Sequence, residues 1–245
     1  YPVIGLRGVI SIDLTTFMVA FGTLAIATIP QPTQTNIPKA VGWQDITFGF
    51  RYIANKPSLV AMVIAFSMFA IPSDIGKALY NPMILARSGG DAQVLGAVTT
   101  AAGVGGVLGA LAVSISGGFK RRIHGMLFGF IGTGCFKLLM GLSQTPLMWG
   151  LAHFMATLAI PLFYSSSNAI WYAKVPPELQ GRVLAADQMI GLVIGALAPL
   201  AAGPLADHVF EPAMQLDGWL SPLFGPLFGT GTGSGIALIY SMMAL

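Results

Sequence analysis

Charged side chains are scarce in this chain. Lys, Arg, Asp and Glu make up 9% of its 245 residues, where a soluble globular domain carries roughly 25%. That shortage excludes an ordinary water-facing surface, and with it a soluble enzyme or a disordered tail. Cysteine is nearly absent: Cys135 stands alone in an apolar stretch, which excludes a disulfide framework and a thiolate metal cluster. His124, His153 and His208 fall in three separate segments without metal-ligand spacing. No Walker loop is present to drive the chain with ATP, and no motif sets a nucleophile beside a base. The net charge of +3 comes from basic residues too few and too scattered for a nucleic-acid footprint. These absences point away from catalysis, a metal or cofactor, and a nucleic-acid partner.

What is present is apolar. Hydrophobic residues make up 55% of the chain and the mean hydropathy is +0.76. A membrane-spanning helix needs about 20 mostly apolar residues. Seven segments approach or meet that length: 7–29, 58–80, 92–115, 123–142, 147–170, 183–206 and 230–245. Continuous runs such as Ala61-Met62-Val63-Ile64-Ala65-Phe66 exclude the alternating strands of a membrane barrel. The expected fold class is therefore all-α, a polytopic transmembrane helical bundle in a lipid bilayer. The first segment lacks the basic region and small-residue cleavage site of a signal peptide. The last reaches Leu245 after 16 residues, and both ends read as cuts through a longer protein.

Two connections are long. Residues 30–57 open with Pro30, Pro32 and Pro38, and then Trp43, Ile46, Phe50 and Ile53 recur at helical spacing. That pattern predicts an amphipathic helix over 43–56, lying in the headgroup region or packed as a short linker helix. Residues 207–229 form the other connection, rich in Pro and Gly. One set of alternating loops holds Lys39, Arg51, Lys56, Lys120, Arg121, Arg122, Lys174 and Arg182, whereas the opposite set holds only Lys77 and Arg87 among basic residues. Short basic loops stay inside, so loops 30–57, 116–122 and 171–182 are expected in the cytoplasm.

A few polar residues stand out against this background. Asp13 lies within a span, where an ionisable group suggests proton carriage or substrate pairing, the alternative being a structural bond near Thr15 and Thr16. Gly117, Gly118, Lys120, Arg121 and Arg122 make a tight turn followed by three cations. These either latch a gate through a carboxylate or helix C-terminus, or simply hold the loop inside. Asp187, near the start of its span, suits a helix cap or a partner for those cations. Asp74, after Pro72 at the expected outer end of the second span, suits an external gate or the headgroup region. Tyr164 and Asn168 are cavity candidates beside the expected interfacial pair Trp171 and Tyr172. Lys137, near the end of its span, is placed to snorkel. Gly105 and Gly109 have the spacing for close helix approach.

Taken in order, these features resemble the major facilitator superfamily. The matching stretches are Ile12-Asp13-Leu14-Thr15-Thr16-Phe17, Asp45-Ile46-Thr47-Phe48-Gly49-Phe50-Arg51-Tyr52-Ile53, and Gly117-Gly118 through Arg122. Further along come Val175-Pro176-Pro177-Glu178-Leu179-Gln180-Gly181-Arg182-Val183 and Ala202-Gly203-Pro204-Leu205-Ala206-Asp207 with Val209-Phe210-Glu211-Pro212. The chain looks closest to the drug-efflux branch that includes macrolide and enterobactin exporters. The resemblance implies that residues 1–29 hold the last helix of an N-terminal half, 30–57 a cytoplasmic linker, and 58–245 a six-helix C-terminal half whose last helix is incomplete. It also implies a bacterial inner-membrane antiporter that exports a small amphipathic substrate against a proton gradient. The rest of the N-terminal half, or a partner chain, would complete it. Residues 117–122 resemble the second copy of the superfamily's gating loop, without its usual aspartate. A non-transporting membrane scaffold or accessory subunit, and a lipid flippase of the same fold, are the alternatives.

Overall fold

The computed structural model describes residues 5–26 and 43–245. Pro30, Pro32, Pro38 and Lys39 of the linker lie outside the described residues, as do the side chains of Trp43, Asp45 and Ile46. Among the described residues there is no strand, and six helices are long and apolar enough to cross a bilayer. This is an all-helical integral membrane protein. The chain divides into two units, Tyr1–Pro38 and Lys39–Leu245.

The first unit carries α1 (Gly5–Ile26). Its hydroxyls turn back on the helix: Ser11 donates to the Arg7 carbonyl at 2.8 Å, Thr15 to Ser11 at 2.7 Å and Thr23 to Ala20 at 2.8 Å. Polar groups on an apolar helix are thereby satisfied without water.

The second unit contains α2 (Trp43–Ala54), α3 (Pro57–Arg87), α4 (Ala92–Ser116), α5 (Arg122–Leu142), α6 (Pro146–Lys174) and α7 (Pro177–Leu205). After these come α8 (Glu211–Met214), α9 (Ser221–Phe228) and α10 (Ser234–Met242). Proline opens α3, α6 and α7, where its missing N–H would have had no helical partner and its fixed φ suits the first turn. The α4 helix starts on Asp91, whose carboxylate accepts from the Gln93 and Val94 amides, and ends at Gly117 in the left-handed region.

The α6 helix runs between α4 and α5. Glycines make this approach possible. A Cβ on Gly105 or Gly109 of α4 would collide with the Phe154 or Leu158 carbonyl of α6. On α5, a Cβ on Gly125 would strike Ser166, and one on Gly129 would strike Phe163. Hydroxyls cross the same seams, with Thr157 donating to the Ala102 carbonyl at 2.8 Å and Thr133 to the Ala156 carbonyl at 3.3 Å. Lipid tails are as apolar as leucine, so such contacts and hydrogen bonds, not the hydrophobic effect, hold spanning helices together. The α3 helix packs along α7, and α10 lies against both α5 and α3.

Several boundaries differ from the sequence reading. The α3 helix continues to Arg87, so Asp74 and Lys77 lie well inside a 31-residue helix instead of flanking its end. The α2 helix lays Gly49 against the Arg182 carbonyl and the Ala186 Cβ of α7, so part of its surface meets protein, not headgroups. Trp171 is 3% exposed and packs in a core with Ile53, Leu59 and Val183, which removes it from an interfacial belt. The connection expected over 207–229 begins as helix: a π-helical turn, Ala206–Phe210, carries α7 into α8.

The seventh span expected over 230–245 is only the nine-residue α10. Gly229 and Gly233 have φ of 81° and 85°, which turns the backbone away from helix until Ser234. Every residue from Ser234 to Ser241 is buried.

Two charges organise this end of the bundle. The Arg87 guanidinium donates to the Gly141 carbonyl at 2.8 Å, to Ser143 at 2.9 Å and to Phe228 at 2.6 Å. It thus gathers the C-terminal carbonyls of α5 and α9 onto the end of α3. The Glu211 carboxylate accepts from the Gly233 and Ile236 amides at 3.3 and 3.0 Å, capping α10. Arg87, counted in sequence as an external loop charge, is a part-buried clamp.

Replacing Arg87 by Met should destabilise the fold by about 3 kcal/mol, because charge-assisted hydrogen bonds are lost and carbonyls are stranded. Gly109→Leu should cost about 3 kcal/mol or more, since the collision is with backbone that cannot move alone. Both effects are measured by thermal unfolding of the detergent-solubilised protein, with Gly106→Leu, where a Cβ meets nothing within 4 Å, as the mild control.

Candidate functional site

Helical periodicity aligns polar side chains and glycines on one face of each of three helices. Ser73, Asp74 and Lys77 follow one another along α3, Tyr164 and Asn168 are one turn apart on α6, and Asp187, Gly191 and Gly195 repeat every fourth residue on α7. These faces meet around a cavity of about 840 Å³. Its aromatic part is built from Phe66 and Phe69 of α3 with Tyr164, Trp171 and Tyr172 of α6. Phe69 stands edge-on to Phe130 of α5 at 4.1 Å, and Phe130 lies 4.5 Å from Phe163 of α6. An aromatic cluster thus ties α3, α5 and α6 together beneath the cavity wall.

The polar part has two carboxylates in different circumstances. Asp74 is held by Lys77 at 2.6 Å across one helical turn. Asp187 lies ten residues after Pro177, too deep for a cap, and it meets no ion-pair or hydrogen-bond partner among the described residues. Capping and pairing with the basic loop are therefore both replaced by a position on the cavity wall. Room for this arrangement comes from α7: a Cβ on Gly191 would meet nothing within 4 Å, and one on Gly195 would sit 3.5 Å from Asp74 Oδ2.

The structure thus brings Asp74, Asp187, Tyr164 and Asn168 to one cavity, together with Gln188, which sequence reading passed over. Such a site can take an amphiphile: rings and aliphatic walls receive its apolar body, amides orient its polar atoms, and an unpaired carboxylate attracts a cation or a proton. Gln188 could have been found as the neighbour of Asp187 on the same stretch of helix.

The other predicted residues lie elsewhere. Gly117 and Gly118 have φ of 69° and 73°, a reversal that favours glycine. Arg122 donates to the Gly117 carbonyl at 2.9 Å and so closes the C-terminus of α4. Lys120, Arg121 and Arg122 are exposed, and none is within ion-pair distance of a carboxylate among the described residues. Asp13 lies on α1 in the first unit, where the Thr16 hydroxyl bonds its backbone carbonyl at 2.9 Å and leaves the carboxylate without a partner on its own helix. Comparisons with protein-family models, with curated proteins and with solved structures give no match to the chain.

In a Cys135→Ser background, Asn168→Cys should react with a hydrophilic maleimide at least ten times faster than Ser166→Cys. Asn168 lines the cavity and Ser166 is fully buried on the opposite seam. Equal labelling rates, followed by mass spectrometry, would show that the cavity is closed to water.

Proposed function

We propose that this chain supplies the C-terminal half, with the preceding helix, of a major facilitator-type secondary transporter that exports an amphipathic small molecule in exchange for protons. The observation that carries the reading is Asp187, a carboxylate without a partner among the described residues, on the wall of an aromatic and amide-lined cavity of the helical bundle. Ionisable groups in spans are costly and are retained for work such as proton relay or substrate pairing. A carboxylate in that position alternates naturally between two partners. Ionised, it holds a cationic or donor-bearing substrate; protonated, it releases that substrate and carries the proton instead.

The α3, α6 and α7 helices form one wall of the path. The glycine seams of α4, α5 and α6 suit this role, because rocking of two halves around a central site requires each half to move as a rigid body. The resemblance of residues 117–122 to a gating loop fits the same picture, with Arg122 bracing the turn. Asp13 is a second candidate for proton coupling.

The test is efflux of a lipophilic cationic dye from cells producing the complete protein, with and without a protonophore. Collapse of the proton gradient should abolish efflux, and Asp187→Asn should slow it at least ten-fold at unchanged protein levels. Efflux indifferent to the protonophore would overturn proton coupling. Full activity in Asp187→Asn or in Asp13→Asn would remove that residue from the mechanism.

A further inference from the structure

Beside the large cavity lies a smaller one of about 200 Å³, where α3, α5, α6 and α10 meet. Its walls are Gly76, Lys77, Tyr80, Lys137, His153 and Tyr240. Lys137 stands near enough to the end of α5 to snorkel out of the membrane, yet its ammonium points inward and lies 3.1 Å from the Ser73 hydroxyl. That partner is neutral. The adjacent carboxylate, Asp74, is already held by Lys77 at 2.6 Å. Two ammonium groups therefore face one carboxylate, and no carboxylate lines the small cavity itself.

The remaining groups can each donate a hydrogen bond and have few strong acceptors nearby. Among the described residues the Tyr240 hydroxyl reaches the Met140 sulfur alone, at 3.5 Å, a weak acceptor. The Tyr80 hydroxyl shares one hydrogen bond with Thr99 at 3.0 Å. His153, whose ring lies 4.5 Å from that of Tyr80, has a buried Nδ1 with no partner among the described residues. Space is kept at the centre by Gly76, where a Cβ would come 3.8 Å from the Tyr240 ring.

A cation whose bonded partner is neutral, ringed by hydroxyl and imidazole groups with weak or few acceptors, calls for a negative charge. We propose that this cavity binds a monovalent anion, with Lys137 as its counter-ion and His153 and Tyr80 as donors. The volume admits a halide or a carboxylate group with a few waters, at about 30 Å³ for each water. Lys77 lines both cavities, so the anion is either a free halide or the acidic head of a molecule whose apolar body lies in the larger space. The site stands on these contacts alone; only the second source rests on the exporter reading.

The experiment measures the melting temperature of the intact, detergent-solubilised protein. Sodium chloride and sodium benzoate are titrated against sodium HEPES at constant ionic strength. A saturable rise of about 3 °C or more is expected, as for any ligand that binds only the folded state. Lys137→Gln should abolish it, Lys137→Arg should keep at least half of it, and His153→Gln should raise the midpoint concentration about ten-fold. A response to chloride alone identifies a halide site; a response to benzoate assigns the carboxylate. No saturable shift with either anion, or the same shift in Lys137→Gln, overturns the proposal. If Lys137→Gln does not fold, the His153→Gln midpoint decides. Because no transport is measured, a failure here leaves the exporter reading standing, and a failed efflux assay leaves the anion shift interpretable.

Discussion

Backbone contact between α6 and its two neighbours is the constraint on which the other features depend. Gly105 and Gly109 admit the α6 carbonyls on one side, while Gly125 and Gly129 admit Ser166 and Phe163 on the other. In a bilayer, burying a leucine between helices gains little over leaving it among lipid tails, so close approach and the hydrogen bonds it permits must supply the association energy. Thr157 and Thr133 make those bonds across the two seams. With the three helices fixed, the aromatic residues of α6 are aimed at α3, and the cavity between α3, α6 and α7 has a firm wall.

The charged residues of the bundle follow the same requirement that polar groups be satisfied internally. Arg87 and Glu211 act on helix ends, one collecting orphan carbonyls and the other orphan amides, each in the sense that the helix dipole favours. Asp74 and Lys77 neutralise each other within one turn. Asp187 and Lys137 stand apart from this pattern. One faces the large cavity with no partner among the described residues, and the other faces the small cavity with only a serine. Charged groups that line a cavity and face no opposite charge among the described residues are natural places for a ligand or a proton to act.

Much of the helical architecture was legible in the sequence, because apolar runs of membrane length leave few alternatives to a helix. The ends were less legible. Hydropathy stops near the first polar residues, but α3 runs on through Asp74 and Lys77 to Arg87 because those charges are met by protein. The same cause moved Lys137 from a snorkelling position to an internal one, and Trp171 from an interfacial belt to a core. Tyr164, Asn168, Asp74 and Asp187 could each be picked out as polar residues in apolar surroundings. That they share a cavity was not visible, since they come from three helices and their meeting depends on how those helices rotate and cross.

The sequence by itself determined the solvent, the helical class and the approximate position of six of the seven expected spans, because composition and run length act locally and the bilayer tolerates few backbone solutions. Tertiary structure alone decided which polar residues are paired. His153 shows why: it is one of three isolated histidines in the sequence, without any motif, yet packing sets it beside Tyr80 on the wall of a cavity shared with Lys137. Proximity between residues on different helices is a property of helix rotation and crossing, set by glycine seams and aromatic contacts, and no local pattern encodes it.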